Sequence, residues 1–161
     1  METTLKLAAE LTTYLGAVQT VVAALFALIA FVVTRTYYVR DLEGKLRDRL
    51  FELSKLAIQF SEVAQDFDAM ANSQDAYFRT RPPTGALGKR YFELRGYTYF
   101  RLTFYEEAFV ATQGPLARHT QKGRQWRSYV AEKMKHKLVR ELFDRSPQQF
   151  NQRFARLVQE G

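Results

Sequence analysis

The chain has no cysteine and only two histidines, His119 and His136. Without thiols it forms no disulfide, holds no thiolate-bound metal and has no cysteine nucleophile. Two histidines 17 positions apart do not by themselves make a metal site. Proline is equally scarce. Four residues, at 82, 83, 115 and 147, confine helix-breaking chemistry to a few points. No glycine-rich phosphate loop, no H-E-x-x-H and no G-x-S-x-G occurs, so no cofactor is expected and no catalytic residue is assigned. Acid is in deficit as well: 17 Asp and Glu stand against 24 Lys and Arg, a net charge of +7.

What the chain does have is one long apolar run. Leu15 to Val33, LGAVQTVVAALFALIAFVV, is 19 residues without a charge, with Gln19 and Thr20 as its polar members. As a helix it rises about 1.5 Å per residue and covers roughly 28 Å, close to the hydrocarbon thickness of a bilayer. Tyr14 precedes it, and Tyr37 and Tyr38 follow, where interfacial aromatics sit. The expectation is a short N-terminal tail over 1–14, a transmembrane helix over 15–38 and a cytoplasmic helical domain over 39–161. The run is too long for a signal-peptide core and Thr34-Arg35-Thr36 is no cleavage site, so an uncleaved anchor is expected. Lys6 is the single basic residue before the run, whereas Arg35, Arg40, Lys45, Arg47 and Arg49 follow it. That bias puts the N-terminus outside and the C-terminal domain in the cytoplasm. Within the run, Gly16, Thr20, Ala23, Ala27 and Ala30 recur at steps of four and three, with Gln19 beside them. Small residues so spaced let helix backbones approach closely, a stripe suited to a homo-oligomer.

The rest of the chain reads as all-α, a bundle of four to five helices. Leu46, Leu50, Leu53, Ala57, Phe60, Ala64, Phe67 and Ala71 alternate steps of four and three, one uninterrupted seam widened by Leu56, Val63 and Met70. Gly44 is the weak point between the anchor and this seam. A loop is expected from Asn72 to Gly88 around Pro82-Pro83, with a short helical turn over 75–79. Lys89 to Gln113 is an aromatic helix, apolar on most sides and therefore the central element, ended by Gly114-Pro115. Glu106 and Glu107 lie inside it. An acid among aromatics either titrates high and acts in catalysis or pairs with an arginine or a tyrosine hydroxyl. The structural reading is preferred because no acid–base partner accompanies it.

Residues 113–145 carry nine basic side chains against three acids. Trp126, Val130, Met134, Leu138 and Leu142 mark one helix from about Arg124 to Phe143, with Lys133, Lys137 and Arg140 together on another face. With Arg124 they form a candidate basic surface. It reads first as a solvated basic face obeying the positive-inside bias; as a binding surface its expected partner is membrane lipid in preference to nucleic acid, because the anchor holds it beside an anionic leaflet. Ser146 as N-cap and Pro147 at the first position open a last helix whose core face is Phe150, Phe154, Leu157 and Val158. The close arginine–histidine pair of helical ribonucleases is missing: Arg118 and His119 are adjacent, Arg127 and His136 nine apart.

On Phe104-Tyr105-Glu106-Glu107, Gly114, Trp126, Phe150 and Phe154 the chain resembles small bacterial single-pass membrane proteins with a cytoplasmic helical domain. That resemblance implies an architecture without an assigned activity. In layout the chain is also similar to the membrane accessory protein of type VI CRISPR systems, which implies ring-like assembly in the membrane. Two functional expectations follow. The first is a non-enzymatic, self-associating interaction module anchored in the inner membrane, with a cytoplasmic protein partner. The second is an oligomeric pore-forming or membrane-perturbing effector in phage defence.

Overall fold

In the computed structural model, residues 2–71, 77–78 and 85–160 are described. Among them are six α-helices and no strand: α1 Glu2–Gln59, α2 Ser61–Ala69, α3 Ala86–Ala111, α4 Gln121–Lys133, α5 Lys137–Arg145 and α6 Gln152–Glu160. A 3-10 turn, Pro147–Gln149, precedes the last. The protein is therefore all-α with a helical bundle. It divides into two units, Met1–Tyr38 and Val39–Gly161.

The first unit is helical and, from Leu11 to Thr34, exposed throughout. Its apolar stretch is long and apolar enough to cross a membrane. The Thr20 and Thr36 hydroxyls donate to the carbonyls of Gly16 and Val32, at 2.9 and 2.8 Å, so neither needs solvent.

The second unit is organised by α3, against which α2, α4, α5 and α6 all pack. Its buried side chains include Tyr91, Leu94, Leu102, Phe104, Tyr105 and Phe109. They meet aromatics from later helices. Phe109 lies 5.7 Å from Phe154, and Phe143 meets Phe154 edge-on at 6.1 Å and 88°. Such tilted and edge-on pairs add to the plain burial of area. From α1, Leu46 and Leu53 complete the core at 2 % and 4 % exposure.

Three local expectations are corrected. The seam from Leu46 to Ala71 is not one helix. It turns at Phe60, whose φ of −114° and ψ of 51° separate α1 from α2. The turn re-aims the chain so that Phe67 meets Tyr97 at 5.5 Å, while Phe60 stays 45 % exposed. The helix expected from Arg124 to Phe143 is also two, broken across Met134–His136 by N–H bonds that reach back three residues, from Lys135 to Glu132 and from His136 to Lys133. The reason is phase. A row advancing by four residues rotates about 40° per step on a 3.6-residue helix, so four steps carry the stripe away from the core. The break resets it, and α5 buries Leu138, Val139, Leu142 and Phe143. Finally, Ser146 caps no helix through its side chain. Phe150 is extended so that it packs on Phe143 at 5.5 Å. Asn151 then caps α6, its Oδ1 accepting from the Arg153 N–H at 2.9 Å. The expected turn over 75–79 and the prolines at 82 and 83 lie largely outside the described residues.

The α3–α4 connection is closed by Thr120, which accepts from the Gly123 N–H at 3.0 Å and donates to Ala117 O at 2.8 Å. A Cβ on Gly123 would sit 2.2 Å from Ala117 O, a backbone atom that cannot step aside. At Gly44 a Cβ would meet nothing within 4 Å. Opposite outcomes are expected from one substitution. Gly123→Ala lowers stability by about 1–3 kcal/mol, whereas Gly44→Ala raises it by about 0.5–1 kcal/mol. Urea denaturation of the detergent-solubilised chain measures both.

Candidate membrane anchor and surfaces of the helical domain

The stripe residues Gly16, Gln19, Thr20, Ala23, Ala27 and Ala30 all lie in α1, exposed along its length. Gln19 has no hydrogen-bond partner among the described residues. An amide in that position in hydrocarbon would need a partner from another chain or from lipid headgroups.

The basic third is used internally more than its charge count suggests. Arg127 donates to Thr112 O at 3.0 Å and to Arg118 O at 2.7 Å, and Arg124 donates to His119 O at 3.2 Å. Thr112 is the C-cap of α3, where unpaired carbonyls give the helix end a partial negative charge and draw cations. Burial lowers the Arg127 pKa from its ordinary value, and the neighbouring charges of Arg118 and Arg124 push the same way. Arg140 is half-buried, donating to Val158 O near the end of α6 and lying 3.5 Å from Asp144. Lys137 opens α5 and gives its backbone N–H to Ala71 O at 3.4 Å. Lys133 closes α4, with its ammonium 5.7 Å from the Tyr129 ring. The break between α4 and α5 therefore puts Lys133 on a different helix from Lys137 and Arg140.

Two of the three acids of α3 reach neighbouring segments. Glu106 accepts the backbone N–H of Asn151 just before α6, and Glu107 stands 3.9 Å from Arg49 of α1. Glu43 of α1 binds Lys122 of α4 at 2.8 Å, which holds its carboxyl below the usual range. Among the described residues no group of three or more His, Asp or Glu is placed to hold a metal ion. Comparison of the chain with protein-family models, with curated proteins and with solved structures returns no match.

Two half-buried groups, Arg101 and His136, come together in a way that the sequence did not indicate. Arg101 of α3 donates to the Tyr97 hydroxyl at 2.6 Å and lies 4.7 Å over the Phe67 ring. No carboxylate pairs with it among the described residues, and its Nε is buried without a partner. Tyr105 beside it is pushed up to about 12 by burial, against the pull of the guanidinium. His136, at the head of α5, stacks on the same Phe67 ring at 3.8 Å and 12°, with both ring nitrogens buried and without hydrogen bonds. A lone arginine and a lone histidine far apart in sequence gave no signal of this meeting.

Burial holds the His136 pKa below its ordinary 6.5. The charges of Arg101 and Lys133 act in the same direction, against Asp68 and the Phe67 backbone. The folded chain thus keeps this ring neutral where the unfolded chain, with a pKa of about 6.5, takes up a proton. Its contribution is whole above that pH and is lost as pH falls through the interval towards the lower folded value. The urea midpoint of the full-length chain is expected to drop between pH 7.5 and 5. His136→Phe, which keeps the stack, should flatten that slope. Equal slopes in the two proteins would contradict the assignment.

Proposed function

We propose that this chain is a membrane-anchored, self-associating helical interaction module without catalytic activity. The observation that supports it is the uncharged, wholly exposed helical stretch in a chain whose mean hydropathy is negative. In water, so much contiguous apolar surface would be an aggregation site; in a bilayer it is an anchor. The basic residues that follow it, Arg35, Arg40, Lys45, Arg47 and Arg49, favour a single-pass orientation in the inner membrane with the domain in the cytoplasm. Membrane lipid and a second copy of the chain are the partners this reading implies, with a cytoplasmic protein as the further client. The small-residue stripe and the unpartnered Gln19 favour contact between anchors. They also support a second reading, in which several copies line a pore and the membrane potential falls on expression.

Light scattering of the detergent-solubilised protein, corrected for bound detergent, tests the main reading. The expected mass is at least twice the 18.8 kDa of one chain. Ala23→Leu with Ala27→Leu, which fills the stripe, should lower it. A strictly monomeric wild type overturns self-association. An unchanged membrane potential on expression overturns the pore.

A further inference from the structure

Helix α3 is central, yet one of its faces is left open. Phe92, Tyr99 and Phe100 are 56 %, 47 % and 44 % exposed, and Phe60 at the α1–α2 turn is 45 % exposed beside them. Phe60, Phe92 and Phe100 line an apolar groove of about 280 Å³, with Leu56, Val63 and Gly96; Tyr99 flanks it on the side of Phe150. Gly96 is the informative residue. Glycine inside a helix is weaker than alanine, and nothing among the described residues requires it: a Cβ there would meet no atom of theirs within 4 Å. Gly44 is open in the same way, but Gly96 alone of the two stands in an apolar groove between exposed rings, where its use is to be sought in something that comes close to the α3 backbone. Phe92 and Phe100 stand four residues to either side of it.

We infer that this face is where a second copy of the chain docks, with Gly96 at the two-fold axis. An isologous contact requires a surface that is its own complement. With Gly96 on the axis, the two α3 backbones would cross where neither carries a side chain, and the rings at positions 92 and 100 of each copy would lie to either side of the other's helix. Charges of both signs border it: Glu93 lines the groove and pairs with Lys89, and Glu62, next to Val63 in the chain, pairs with Arg90. The area also fits. Aromatic side chains of this size present roughly 200 Å² each, so the four half-exposed rings leave on the order of 400 Å² in solvent. A specific interface takes about 800 Å² from each partner, somewhat over half of it apolar. The inference rests on the self-associating, membrane-anchored reading, because confinement to one bilayer raises the effective concentration at which such a patch must work.

The absence of cysteine makes the test direct. Gly96→Cys has open space for its side chain, and a residue on a two-fold axis meets its own copy whichever way the helices run. Full-length Gly96→Cys in phosphatidylethanolamine–phosphatidylglycerol vesicles should form disulfide-linked dimers on mild oxidation. The rate should exceed that of Ser128→Cys, exposed on α4, by about tenfold or more. Adding Phe100→Glu should bring it down to the Ser128→Cys rate. Equal rates at the two positions, or a rate indifferent to Phe100→Glu, overturn the inference. If wild-type protein is oligomeric by mass while Gly96→Cys does not cross-link, only this face is wrong. If it is monomeric, the self-association reading falls with it.

Discussion

The constraint on which the domain depends is the need of α3 to bury aromatic rings around most of its circumference. A single neighbouring helix covers only a stripe of such a surface, so several must be recruited from both sides in sequence. The chain turns at Phe60 and again at Met134–His136 for the same reason: each turn delivers a fresh set of rings to α3. Phe67 arrives from the N-terminal side, and Phe143, Phe150 and Phe154 arrive from the C-terminal side. The polar contacts then fix register. Glu106 ties α3 to the start of α6, Glu107 faces Arg49, and Glu43 ties α1 to α4.

Positive charge serves two ends in this molecule. Part of it neutralises the carbonyls left at helix ends, as Arg127 does for Thr112 and Arg140 for Val158. Guanidinium suits this task because its fork reaches two carbonyls at once, as Arg127 shows. The remainder among the described residues, more arginine than lysine, lies mostly at the surface. Arg101 belongs to neither group. It is an interior cation held by a tyrosine hydroxyl and aromatic faces, an arrangement that tolerates burial because guanidinium is weakly hydrated.

Much of this was legible in the sequence. The uncharged run, the aromatic helix and the core rings of the last helix follow from hydropathy and spacing alone. The turn at Phe60 was not legible, because the residue is neither glycine nor proline and the alternating seam continues through it. The break after Lys133 was legible in principle: a row advancing only by fours cannot stay on one side of a helix. Proline at position 147 suggested a helix start, but the burial of Phe150 moved that start to Asn151. The open face of α3 could not be read, since a stripe of aromatics looks the same whether its neighbour is in the chain or in another copy. Nor could the meeting of Arg101, Phe67 and His136, which depends on three separate helices.

The lateness of the rings that cover α3 bears on how the protein is made. Phe104 leaves the ribosome roughly 40 residues before Phe143, and Phe154 later still. At translation rates of about 5–20 residues per second, α3 spends about two to eight seconds without those partners. Through that interval its rings stand bare. The nascent chain is then at its most adhesive, and delivery of the apolar N-terminal run to a bilayer before α3 emerges would keep such chains apart from one another until α5 and α6 close over them.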